Sequence, residues 1–111
     1  MKATSFVLPL ILLFPTSAFA GKIFGNLTEG GRSVGQGIEV QITCRGGSPL
    51  STKTDVYGAY SFNVPKGTCG LSVKYPNDQW TSPFSVVSPD DPARYDFDLV
   101  NEGGRYVLKR R

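Results

Sequence analysis

The sequence predicts an all-β fold, a seven- to eight-stranded antiparallel Greek-key β-sandwich, carried behind an export signal. Three observations lead there. Beyond residue 20 the apolar residues recur with period two and show no helical spacing. The 13 Gly and 8 Pro of the 111 residues cut that alternation into short runs, at the spacing of a sandwich or barrel. Two cysteines, Cys44 and Cys69, stand where they could join neighbouring strands.

The first twenty residues read as a cleaved signal peptide. Lys2 precedes an apolar run from Phe6 to Phe14, and Ala18-Phe19-Ala20 supplies the small-x-small pattern cut by a signal peptidase. The run has nine residues with Pro9 inside it, whereas a spanning helix needs about 20. Gly21 rather than Cys follows the cut, which speaks against a lipoprotein anchor. No later segment is apolar enough to span a bilayer, so the expected mature domain, residues 21–111, is exported to the periplasm or secreted, with no integral membrane segment.

Without Lys2 that domain carries eleven Lys and Arg against nine Asp and Glu, a net charge of +2. So mild an excess gives no case for a nucleic-acid partner. The Lys109-Arg110-Arg111 cluster reads as a solvated terminus. A domain this small buries only about 60–65% of its unfolded surface. A disulfide closing the 24 residues between Cys44 and Cys69 adds on the order of 3 kcal/mol in the chain-entropy model. With no His in the chain, two thiols alone make a poor zinc site.

The strands follow in order. Residues 22–28 place Ile23 and Leu27 on one face. After a Gly-rich connection over 29–37, Ile38, Val40, Ile42 and Cys44 alternate with Glu39, Gln41 and Thr43. Residues 50–55 form a polar strand near an edge, and Val56-Tyr57-Gly58 turns it back. Tyr60, Phe62 and Val64 share a face of the fourth strand, and Cys69, Leu71, Val73 and Tyr75 a face of the fifth. A sixth strand lies around 84–87, a seventh over 94–100 with Tyr95, Phe97 and Leu99 inward, and an eighth over 105–109 after an Asn-Glu-Gly-Gly turn. Cys44 closes the inward face of the second strand and Cys69 opens that of the fifth, so direct antiparallel pairing of these two makes the bridge easy.

Residues 21–73 resemble the carboxypeptidase regulatory-like domain, a transthyretin-like sandwich within the wider transthyretin/immunoglobulin-like architecture. The match rests on Ile23-Phe24-Gly25-Asn26-Leu27, on the connection from Glu29 to Val40, and above all on Thr52-Lys-Thr-Asp55-Val-Tyr-Gly58-Ala-Tyr60-Ser-Phe62-Asn-Val-Pro65-Lys-Gly67 continuing to Leu71 and Val73. The connection lacks the family's usual proline, and Cys69 replaces a large apolar residue. The resemblance implies the fold and a non-catalytic accessory role that supports, spaces or binds.

Catalysis lacks its parts. No His is present as a proton shuttle, no nucleophile has an evident activating base, and no cofactor or metal site is expected. Asp90, Asp91, Asp96 and Asp98 read as loop and outer-face carboxylates, the last two pointing to solvent. A Lys22–Asn101 isopeptide is conceivable in this fold, but both residues fall at strand ends on the outer face. Asn26-Leu27-Thr28 matches a glycosylation sequon and reads as chance behind a bacterial-type signal.

Binding is the remaining chemistry. With strands alternating up and down, the loops 29–37, 56–58 and 76–82 share one end and would gather Arg32, Tyr57, Asp78, Gln79 and Trp80 as contacts for a glycan or peptide. The competing reading has Trp80 packing down to cap the sandwich. The expected role is thus a non-enzymatic exported binding or structural module, an accessory of a cell-envelope complex, with recognition of glycan or peptide through the Tyr57/Trp80 end as the alternative. The last strand, residues 105–109, would offer a route to β-augmentation if it stands at an open edge.

Overall fold

The computed structural model describes residues 21–111. The expected signal and its cut after Ala20 lie outside the described residues.

Among the described residues ten strand segments form two sheets, with no helix between them. They are β1 (Gly21–Glu29), β2 (Arg32–Ser33), β3 (Glu39–Cys44), β4 (Leu50–Lys53), β5 (Ala59–Val64), β6 (Gly67–Val73), β7 (Phe84–Ser88), β8 (Ala93–Arg94), β9 (Phe97–Glu102) and β10 (Arg105–Arg110). The smaller sheet runs β4-β3-β6-β7. The larger is organised on β1, which pairs β5 along its first part and β2 at its end, with β8, β9 and β10 on its other flank.

Alternation along each strand decides what lies between the layers. Ile23 and Leu27 of β1, Val40 and Ile42 of β3, Tyr60, Phe62 and Val64 of β5, and Phe97 and Leu99 of β9 are buried, while their neighbours face outward. Phe84 meets Phe97 edge-on, with ring centroids 4.8 Å apart, where the sheets touch. The expected sandwich is the observed one.

The expected bridge is present and lies in register. Cys44 and Cys69 are direct partners in the antiparallel β3–β6 ladder, their Cα atoms 4.0 Å apart, and they are bonded. The bridge therefore joins adjacent strands of one sheet and does not cross between the layers.

Three features depart from the expectation. The connection after β1 contains a short strand, β2, which folds back so that Ser33 pairs with Thr28. The single strand expected over 94–100 is split into β8 and β9, and both run parallel to β1, so the pairing is not wholly antiparallel. The split lies over Gly25: a Cβ there would stand 1.8 Å from the Tyr95 carbonyl oxygen, so only glycine lets the chain bulge against β1. Finally, Asp96 and Asp98 do not simply face water. Asp96 Oδ1 accepts the Asn26 N–H at 2.8 Å, and Thr28 Oγ1 donates to Asp98 at 2.7 Å. Both carboxylates brace the parallel junction where the regular ladder is interrupted.

Candidate functional site at the loop end

The end of β1, the starts of β3 and β5 and the end of β6 lie together, as the pairing registers require. The connections after β1, β4 and β6 consequently emerge at one end of the sandwich.

The β4–β5 turn is held from within and from behind. Asp55 Oδ1 accepts the N–H groups of Tyr57 at 2.9 Å and Ala59 at 3.0 Å, an arrangement that mimics a backbone turn with a side chain. Gly58 donates to the Asp55 carbonyl, and its own carbonyl accepts from Leu27 N–H, both at 2.9 Å. Its φ of 76° and the approach of Leu27 O to 2.9 Å from any Cβ leave glycine as the residue that fits. Buried Thr54 ties the neighbouring loop down: its hydroxyl donates to Gly35 O at 2.6 Å and accepts Ile38 N–H at 3.0 Å. On this braced base stand Val56, 59% exposed, and Tyr57, 73% exposed.

Arg32 is exposed on β2, beside Ser33, whose hydroxyl lies against Gly58. It thus shares the β1–β5 side of the end with Tyr57. Asp78, Gln79 and Trp80 belong to the smaller sheet. Tyr75 N–H donates to Gln79 O at 2.8 Å and Lys74 bridges Trp80, so residues 75–79 form a turn that exposes Asp78 and Gln79. The half-buried Trp80 ring is covered by Lys74 Nζ, 5.6 Å from its centroid, and Lys74 also pairs with Glu39 at 3.7 Å. No ring contact among the described residues joins Trp80 to Tyr57. The five candidates fall into two groups, Arg32 with Tyr57 and Asp78 with Gln79 and Trp80.

One cluster at this end escaped the sequence reading. Glu29, at the end of β1, receives both the Tyr75 hydroxyl, on Oε1, and the Tyr106 hydroxyl, on Oε2 at 2.5 Å. The two rings meet edge-on, centroids 5.1 Å apart. Since Glu29 and Tyr106 belong to the larger sheet and Tyr75 follows β6 of the smaller, the cluster ties the layers together. The Tyr106 and Tyr75 hydrogen bonds hold the Glu29 carboxyl below its usual range. Reciprocally, the bond to Glu29 pushes Tyr75 up to about 12 and raises Tyr106. Both hydroxyls stay protonated and occupied, a bracing role rather than a nucleophilic one. The available signal was position: Tyr75 and Tyr106 lie near strand ends, and a partly buried tyrosine needs a partner for its hydroxyl.

Lys22 and Asn101 lie far apart. Phe97 is level with Leu27 in the parallel β1–β9 pairing. Asn101 is therefore carried past the end of β1, roughly 30 Å from Lys22 at ~3.3 Å per residue. Among the described residues no group of three or more His, Cys, Asp and Glu gathers as a metal site.

No protein-family profile and no curated protein sequence matches the chain. Solved structures do share its fold. A DUF3823 family protein from Parabacteroides merdae matches with a TM-score of 0.56 and 15% identity over 81% of this chain and 46% of its own. The Bacillus anthracis TIE protein matches with a TM-score of 0.57 and 14% identity over 79% of this chain and 16% of its own. A "putative carbohydrate binding protein" from Bacteroides uniformis matches with a TM-score of 0.51 and 18% identity over 74% of this chain and 47% of its own. At such identities the likeness concerns the fold, and this chain spans less than half the length of each.

Proposed function

We propose that the chain is an exported, non-catalytic binding module acting in the cell envelope or outside the cell, and that it meets its ligand with the Val56–Tyr57 tip. The observation that carries the reading is the exposed Tyr57 ring on a turn fixed by the Asp55 carboxylate. A pre-ordered backbone lowers the entropy lost on contact, and an aromatic ring offers a large, nearly rigid surface to a sugar or an apolar side chain. Arg32 on the adjacent strand supplies a charged donor beside it.

The lack of histidine and the bracing role of the tyrosine–glutamate cluster support a binding role over a catalytic one. The resemblance of residues 21–73 to carboxypeptidase regulatory-like domains favours an accessory role, the bridge of Cys44 to Cys69 supports export, and the Bacteroides uniformis neighbour favours a glycan as ligand. The test is a glycan array probed with protein recovered from the periplasm or medium, alongside Tyr57→Ala. Retention of a glycan by the native protein, lost in the variant at unchanged thermal stability, is the expected result. Binding only to peptides would replace the glycan, and binding indifferent to Tyr57 would remove the tip as the site.

A further inference from the structure

The larger sheet ends, on the side opposite β5, in a strand paired along one edge only. β10 is the outermost strand there, paired over Arg105–Arg110 with β9 alone. The Arg111 N–H bond to Asp96 O, at 2.8 Å, sets the parity of that ladder. Arg105, Val107 and Lys109 share the parity of Arg111 and turn their main-chain groups toward β9. The N–H and C=O groups of Tyr106, Leu108 and Arg110 then point away from it, a row of donors and acceptors spaced for an incoming strand. Other edges are less open. β4 has four residues and follows Pro49, β7 is flanked by Pro83 and Pro89, and β5 packs along β4.

Charge determines which strand fits. Residues 105–111 carry Arg105, Lys109, Arg110 and Arg111 and no acid. Among the described residues only Lys109 of these four makes an ion pair, with Glu102 at 3.0 Å. The Arg110 guanidinium lies 4.0 Å from the Tyr95 ring centroid and donates to Arg94 O at 2.9 Å, which keeps it at the rim. A second copy of β10 laid antiparallel on the first would oppose cation to cation, which is destabilising for directly facing like charges. A strand bearing carboxylates meets the opposite condition.

We infer that the β10 edge captures an extended acidic segment of a partner protein by β-augmentation. Main-chain bonds to Tyr106, Leu108 and Arg110 would set its register, and the cations of residues 105–111 would select its charge. This surface does not depend on the Val56–Tyr57 reading.

The probe is a blocked peptide of alternating Glu and Val, with alternating Lys and Val as its counterpart, added to isotope-labelled oxidised protein. Expected are chemical-shift changes and slowed hydrogen exchange at the amides of Tyr106, Leu108 and Arg110, with the Lys peptide at least tenfold weaker and the affinity falling with salt. An Arg105→Glu/Lys109→Glu double variant should lose at least tenfold in affinity. Retained protection of its Val107 amide would show that β10 is still in place. The Arg105→Gln/Lys109→Gln pair gives the same reading without reversed charge. Equal binding of both peptides, shifts confined to the Val56–Tyr57 tip, no binding at all, or a dimer in sedimentation that buries β10 would each overturn the inference.

Discussion

Asp96 supplies to the Asn26 N–H, 70 positions earlier in the chain, the acceptor that the interrupted strand beside it does not. The bond sits next to Gly25, where the Tyr95 carbonyl passes too close for any side chain. Burial alone would raise the Asp96 carboxyl, but Arg94, the Asn26 N–H and Arg111 outweigh it and hold it below the usual range. Here β1 is fastened to the β8–β9 bulge by the Asp96 carboxylate, by the Tyr95 N–H donated to the Phe24 carbonyl at 2.7 Å, and by the close approach that the missing Cβ of Gly25 permits.

Asp96→Ala should orphan the Asn26 N–H and release Arg94, at a cost of about 1.5–3 kcal/mol in urea unfolding. Gly25→Ala should cost at least as much, because its added carbon meets main chain rather than a movable side chain. A Gly25→Ala variant as stable as the native protein would show that the bulge can leave β1.

Acid stability should depend on Glu29 and Asp96. Both carboxyls titrate in the folded chain below their ordinary values of 4.5 and 3.8. Their contribution is therefore complete above those values and lost as pH falls through the depressed folded ones. Unfolding midpoints followed downward in pH should fall steeply in the native protein and more gently in Glu29→Gln and Asp96→Asn. Identical acid limbs would remove these groups as the cause.

Alkaline stability has the opposite sign. The Tyr75 hydroxyl, raised from 10.0 to about 12, stabilises fully below its unfolded value and loses that contribution as pH rises through the folded one. Tyrosinate absorbance should show one late-titrating phenol fewer in Tyr75→Phe, and both the Tyr75 and Tyr106 phenols moving earlier in Glu29→Gln.

Reduction, or Cys44→Ser with Cys69→Ser, should cost about 2–5 kcal/mol. The layers should remain stacked, because the bridge lies within one sheet. Thr54→Val, which keeps the shape but breaks the links to Gly35 and Ile38, should cost about 1–3 kcal/mol and free the loop beside Tyr57. Tyr57→Ala should change stability by no more than about 0.5 kcal/mol.

Period-two alternation made the strands legible, because it reports directly which side chain meets the core. With only two cysteines a single bridge was open, and their inward positions at matching strand ends pointed to β3 and β6 as neighbours. Alternation by itself does not report which strand lies beside which. The parallel β1–β9 contact therefore stayed hidden, as did the acceptor role of Asp96, a residue that looks outward in a one-dimensional pattern. Gly25 was recognised as a motif position, yet nothing local shows that it faces the Tyr95 carbonyl. At the loop end, Tyr57 was legible as a tip residue. The gathering of Glu29, Tyr75 and Tyr106 depends on three distant segments converging and leaves no short-range trace.

The Cys44–Cys69 bond encloses both the Gly46–Gly47 turn and the projecting Val56–Tyr57 tip. A protease outside the cell that nicked either place would cut the polypeptide without parting it. The two fragments would remain one covalent body, migrating together until a reductant separated them, and the nicked segment would still be anchored by β3 and β6 on either side.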